Sequence, residues 1–274
     1  MDVVKIPKKL KTIFQEIRDG NIELGNENLK NYKDFEPQKN IVFAQMNYFE
    51  SNYEQAMLND ENSLLFNEQW YPGNILTEHF FAYTNTAIKI NQIERAEKFY
   101  NFFLETKEME TLPAHQINQY RYLVEQHILK LNGEKNLKLY PEKLSLITEG
   151  KKISEIELIQ QKHRKDLNNK NIEKIEYLLN FMITDCNSKL VFEYYEKYCE
   201  EIKSENIHFD IARLYCLAND ENLARKATLK FVENWFPIDF LQIVPMKFFE
   251  YEEMNLILTD QFKVQILNSR KAIT

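Results

Sequence analysis

Five histidines, three cysteines and a scatter of acidic pairs are the side chains here with chemistry to offer, and none is spaced to share a task. His79, His115, His127, His163 and His208 stand alone. A zinc protease sets two imidazoles one helical turn apart around a glutamate, so that both reach one metal. The nearest approach, Glu125-Gln126-His127, puts one carboxylate beside one imidazole at a spacing that serves no shared metal. Cys186, Cys199 and Cys216 show no CxxC spacing and lie among apolar neighbours, which reads as buried thiols in a reducing compartment. Glu200-Glu201 and Glu252-Glu253 read as exposed helix faces. No Walker A loop, GxGxxG or GxSxG occurs, so no catalytic, metal or cofactor residue is assigned. An α-helical hydrolase working through paired carboxylates is the alternative, because a helical ring brings distant acids together without a local motif.

The elements that would position any such residues are helices. Only 5 Gly and 7 Pro occur in 274 residues. A sandwich of short strands needs many more turn residues, and a nucleotide-binding α/β fold needs Gly-rich turns. With 44% hydrophobic residues the chain has enough apolar surface for a core. The 15 Tyr and 19 Phe fall mostly at helical spacing, which places them between helices. A net charge of −7, with no basic stripe among the aromatics, argues against nucleic acid as a partner. No run approaches the ~18 apolar residues of a membrane span. The N-terminus turns polar at once without an apolar leader, so a soluble, cytoplasmic protein is expected.

One pattern recurs along the chain: an amphipathic helix, a polar turn, then a small or aliphatic residue early in a second helix. Its clearest copy is Glu205–Val232, with Ala212 and Tyr215 before a turn at Asn219-Asp220-Glu221-Asn222 and Ala224 beyond it. Thr77–Leu104 turns at Asn91-Gln92 before Ala96, and Pro37–Leu58 turns at Ser51-Asn52 before Ala56. Weaker copies cover Asn118–Leu139 and Asn171–Tyr198, turning at Asn132-Gly133 and Thr184-Asp185. Pro37 suits a first helical position, and Thr77, Asn118 and Asn171 suit N-caps. With Ala56, Ala96, Leu137, Leu190 and Ala224 as equivalent anchors, only the last step is 34 residues. Phe66–Pro72 and Phe231–Pro237 share an aromatic-then-Pro stop.

Ala212-Arg213-Leu214-Tyr215 through Ala224-Arg225-Lys226-Ala227, and Asn91-Gln92-Ile93-Glu94-Arg95-Ala96-Glu97-Lys98-Phe99, resemble a divergent tetratricopeptide repeat. The family's Trp near the start of the first helix is absent, as is its usual Gly before the turn in most units. The resemblance implies an all-α fold, a right-handed solenoid of antiparallel helix pairs with irregular repeats. It forms one domain over 1–274: cap helices in 1–36, a first repeat block in 37–148, a charged connecting helix in 149–170, and a second block with a closing helix over Phe248–Gln265 in 171–274. In such proteins the first helices line a groove for peptides or proteins. Carried onto this sequence, the groove positions are Gln45, Tyr48 and Phe49, then Phe81, Asn85 and Lys89, then Tyr122, Gln126 and Lys130, then Phe209 and Arg213. The plainer role for Phe81 and Phe209 is core packing between helices.

The function expected from this is non-enzymatic: a module that holds a protein or peptide partner. Mild acidity favours a basic partner, as in an immunity protein neutralising a basic toxin or enzyme; an adaptor or peptide-responsive regulator is the other role. The first ~70 residues lack the basic recognition helix a DNA-binding regulator needs. No cofactor and no membrane partner is expected, and the oligomeric state stays open.

Overall fold

The computed structural model describes residues 6–65, 73–92, 94–96, 98, 175–176, 179–180, 183, 188–237 and 241–269. Nine helices have bounds within this set: α1 (Lys8–Arg18), α2 (Ile22–Asn31), α3 (Glu36–Phe49), α4 (Tyr53–Asp60), α5 (Gly73–Lys89), α6 (Ser188–Tyr198), α7 (Glu205–Leu217), α8 (Glu221–Asn234) and α9 (Asp260–Ser269). No strand occurs among the described residues. The weaker copy at Asn118–Leu139, the charged stretch 149–170 and the Phe66–Pro72 stop lie outside them.

Local sequence explains most of these elements. In α1, Leu10, Ile13, Phe14 and Ile17 recur at helical spacing and are buried, while the lysines between them face water. Pro37 stands in the first turn of α3, as expected of a residue with no N–H to leave unsatisfied. Before α9, the Thr259 hydroxyl accepts the Phe262 N–H at 3.3 Å and so caps that helix.

Four turns between consecutive helices share one geometry. Gly20, Ser51, Asn91 and Asn219 each adopt the left-handed conformation, with φ of 93°, 61°, 59° and 61°. In each, the left-handed N–H donates three residues back, to Ile17, Tyr48, Ile88 or Cys216, and the next N–H five back, to Glu16, Asn47, Ala87 or Tyr215. This pair of bonds satisfies the last carbonyls of the outgoing helix. Five residues after each left-handed position stands a small residue, Gly25, Ala56, Ala96 or Ala224, whose N–H opens the next helix by donating to Asn21, Asn52, Gln92 or Asp220. All four small residues are buried. At Gly25 the approach is closest, since a Cβ there would lie 2.3 Å from Ile17 Cγ1. Residues 1–36, read from sequence as a cap, therefore turn in the same way as the anchored units.

By contacts the chain forms two compact units, one of residues 1–135 with 235–274 and one of residues 136–234. The expected second block ran to residue 274; the residues after 234 instead join the first unit. Over Phe248–Gln265, where a closing helix is expected, the chain is not one continuous helix. Two short 3₁₀ turns, Met246–Phe249 and Glu252–Leu256, precede α9, which starts only at Asp260. The cause is burial on more than one side. Phe248, Phe249, Met254, Ile257 and Leu258 are all buried, which no single helical stripe allows, and Tyr251 is extended at φ −126° and ψ 123°.

In the first unit, Phe249 packs between Tyr48 and Phe49, with ring centroids at 5.5 and 5.1 Å. In the second, α7 and α8 pair through Phe209 and Phe231 at 5.3 Å, and Phe192 stacks on Tyr215 at 4.1 Å. Cys199 and Cys216 are buried thiols; Cys186 lies outside the described residues.

Candidate functional site

The eight described residues that sequence assigned to a groove divide two ways. Gln45 is only 1% exposed, and its carboxamide is committed within the chain. It lies on α3, where its Nε2 donates to the Leu241 carbonyl at 2.8 Å and its Oε1 accepts the Ile243 N–H at 3.0 Å. Asn85, one helix pair further on in α5, donates to the Phe249 carbonyl at 2.9 Å. Lys89, a turn beyond it, is exposed; its ammonium meets the Asn255 side chain at 3.2 Å and the Tyr53 hydroxyl at 3.0 Å. These three side chains thus converge on one segment of the chain itself, residues 241–255.

Two others point into cores. Tyr48 is fully buried and donates its hydroxyl to Asp60 Oδ2 at 2.7 Å. Arg213 is 3% exposed in the second unit, on the same helix as Asp210 at 3.9 Å and with Phe209 alongside. Neither is presented on an exposed face. Phe49, Phe81 and Phe209 are buried too, as core packing requires. Gln126 and Lys130, with Tyr122, lie outside the described residues.

The segment these residues hold has no helix from Leu241 to Pro245, so its backbone groups need partners from elsewhere. The Gln45 carboxamide supplies two. Arg18 of α1 supplies a third, its Nε donating to the Gln242 carbonyl at 3.0 Å. The Gln242 side chain in turn donates to both carboxylate oxygens of Glu78 on α5, each at 3.0 Å. Leu241, Ile243, Val244 and Met246 are buried against the same unit. Helices α1, α3 and α5 therefore grip an irregular strand of chain through its main chain, while its apolar side chains fill the core.

No motif announces the second constellation beside this one. Asp60 is fully buried at the end of α4, where the chain passes into a π-helical turn, Glu61–Leu65. Its carboxylate takes the Tyr48 hydroxyl on one oxygen and faces His79 Nδ1 at 2.6 Å on the other. Burial and this carboxylate hold the Tyr48 hydroxyl protonated, well above the ordinary tyrosine range. His79 Nε2 is buried without a hydrogen-bond partner. Next to this group, Glu61 accepts from Tyr83 at 2.5 Å and from Arg95 at 2.7 Å, and Arg95 also reaches Glu54 at 2.8 Å. A signal did exist in the sequence. Nine residues after the left-handed turn residue, the pair at Gly20 has Leu29, the pair at Ser51 has Asp60 and the pair at Asn219 has Thr228. A carboxylate where a sibling unit carries a core leucine marks a buried polar site.

In the second unit, His208 is buried with both nitrogens engaged: Nε2 faces the Ile202 carbonyl at 3.0 Å and Nδ1 the Tyr195 hydroxyl at 2.7 Å. A carbonyl only accepts, so the proton sits on Nε2 and Tyr195 donates to Nδ1. A cavity of about 40 Å³ lies beside Tyr195, Cys199 and Lys230, room for a water and little more. Among the described residues no cluster of His, Cys, Asp and Glu is placed to hold a metal, and no helix is long and apolar enough to cross a membrane. No protein-family model matches the chain, and neither the curated proteins nor the solved structures return a match.

Proposed function

We propose that the protein is a non-enzymatic helical-repeat module of tetratricopeptide-like type, a right-handed solenoid of antiparallel helix pairs that holds a protein or peptide partner. The repeat reading is supported by the four identical turns, each followed at the same distance by a buried small residue. One observation carries the binding reading: α1, α3 and α5 hold a segment that contains no α-helix by its backbone through Arg18, Gln45 and Asn85. Side-chain amides that satisfy a main chain recognise a peptide whatever its side chains, and pockets between them add selectivity. The charge of −7 favours a basic partner, and the role that best fits is neutralisation of a basic toxin or enzyme.

The test is affinity capture on the full chain, identification of the retained protein, and titration of the two purified components at several salt concentrations. A purified pair whose affinity falls with salt supports the reading. A chain that hydrolyses glycan or ester substrates and retains no defined protein overturns it.

The hydrolase alternative has one observation in its favour, the Asp60–His79 pair with Nε2 unpartnered. Against it, Asp60 is 0% and His79 1% exposed, so substrate has no path to either. Glu54 and Glu61 share the guanidinium of Arg95, which suits a structural tie better than an acid and a base of unlike affinity for protons.

A further inference from the structure

Tyr48, Tyr83 and Tyr215 donate their hydroxyls to the carboxylates of Asp60, Glu61 and Glu196, and Tyr195 donates to His208. An acceptor of that kind, a carboxylate above all, keeps the proton on a phenol. Tyr53, in the first turn of α4, has the opposite surroundings. The ammonium of Lys89 donates to its hydroxyl at 3.0 Å and lies 4.6 Å from the ring centroid. A second ammonium, that of Lys263 on α9, lies 5.6 Å from the same centroid. Lys263 also donates to the Ser51 hydroxyl, which in turn donates to Asp260 at 2.5 Å. Burial of the ring opposes ionisation, but the Lys89 hydrogen bond and the charges of Lys263 and Lys89 outweigh it and hold the phenol below the ordinary tyrosine range. Tyr53 is half-buried, and Lys89 and Asn255 beside it are exposed, so a reagent in solution reaches the group.

A phenol oxygen that receives a charge-assisted hydrogen bond from a cation carries more phenolate, and the phenolate is the nucleophile. The same cations favour a phosphoryl group over an uncharged electrophile. Attack on phosphorus places negative charge on the phosphoryl oxygens, and a phosphate ester keeps about two negative charges at neutral pH. We propose that Tyr53 is a covalent modification site that takes a phosphoryl group from an activated phosphoryl donor, with Lys89 and Lys263 receiving the charge. The Tyr53 oxygen forms the bond to phosphorus and the bond from phosphorus to the leaving group breaks. The leaving group departs with that electron pair, and the phenolic proton passes to solvent. One group is taken per chain without turnover, so the site goes beyond the binding reading and does not depend on it.

The test uses the full chain and an alkyl fluorophosphonate, whose leaving group is fluoride, with adducts located and timed by peptide mass spectrometry. Among the 15 tyrosines, Tyr53 should be modified about tenfold faster than any other. In denaturing urea that preference should vanish, because the unfolded chain brings neither ammonium to the phenol. Lys89→Gln should slow modification of Tyr53 about fivefold while helical circular dichroism is retained, and Lys89→Arg should restore most of the rate. Should Lys89→Gln lose its helicity, the comparison of the native chain with and without urea decides. An adduct on Ser51 or a lysine in place of Tyr53, an even spread over the tyrosines, or no adduct at all overturns the proposal. So does a preference that persists in urea, or a Tyr53 rate untouched in a folded Lys89→Gln chain.

Discussion

Gly25 and His208 show how much a single position can decide. A methyl group at Gly25 would strike Ile17, itself fully buried and unable to swing clear. Gly25→Ala should therefore cost about 1–3 kcal/mol of stability, the usual range for overpacking, even though alanine is the better helix former. Urea unfolding checks it, and a stabilised variant would mean that α1 and α2 separate freely. At His208 burial holds the imidazole's proton affinity below the ordinary histidine range, with Lys230 adding to that while the Ile202 carbonyl, Glu176 and Glu233 oppose it. The unfolded chain then takes up the proton at a higher pH than the folded one. Stability from this residue is fully present above about pH 6.5, the unfolded value, and falls as pH drops below it, by at most about 1.4 kcal/mol per pH unit. The difference in unfolding free energy between the native chain and His208→Gln, measured from pH 8 to pH 5, should shrink toward acid. A difference independent of pH would contradict it.

At the scale of elements, the turns were readable and the segment after residue 234 was not. Ser51-Asn52, Asn91-Gln92 and the stretch from Asn219 were visible because a left-handed residue and a small residue five positions later are both local marks. Gly20 carries the same marks, but the polar exterior of residues 1–36 makes them resemble a cap. The irregular segment had no such marks. Its form depends on Gln45 and Asn85, which stand 196 and 164 residues away. Asp60 and His79, 19 residues apart, form no local motif either, since packing of α4 against α5 brings them together. Gln45→Ala should leave the Leu241 carbonyl and the Ile243 N–H buried without this partner and cost about 2–4 kcal/mol. Gln45→Glu should cost more, since it sets a second acceptor against the Leu241 carbonyl. Hydrogen exchange at residues 241–249 would report both, and unchanged protection would show that the carboxamide is incidental. Arg213, once a candidate contact, now predicts something different: reversing its charge should lower thermal stability rather than affinity, because it is buried.

The whole molecule is built out of order. Residues 235–274 belong to the unit that begins the chain, so the unit formed by 136–234 is spliced into the middle of the other. A chain ending at residue 234 should lose the slow amide exchange of α1, α3 and α5 while the exchange of α7 and α8 is preserved. Protection in α3 equal to that of the full chain would show that the first unit is complete without its last segment. This arrangement, like the register of that segment, has no counterpart in local pattern: periodicity reports which face of a helix is buried, never which distant residues bury it.

The 196-residue separation of Gln45 and Leu241 also sets a clock. Protein synthesis proceeds at about 5–20 residues per second, so α3 emerges roughly 10–40 s before the segment that will cover it. During that interval the apolar faces destined for Ile243, Val244 and Phe249 are open on a growing chain, in a cell full of other exposed segments. The newborn protein must be shielded by a chaperone, or hold its first helices loosely, until residues 241–249 arrive to close them.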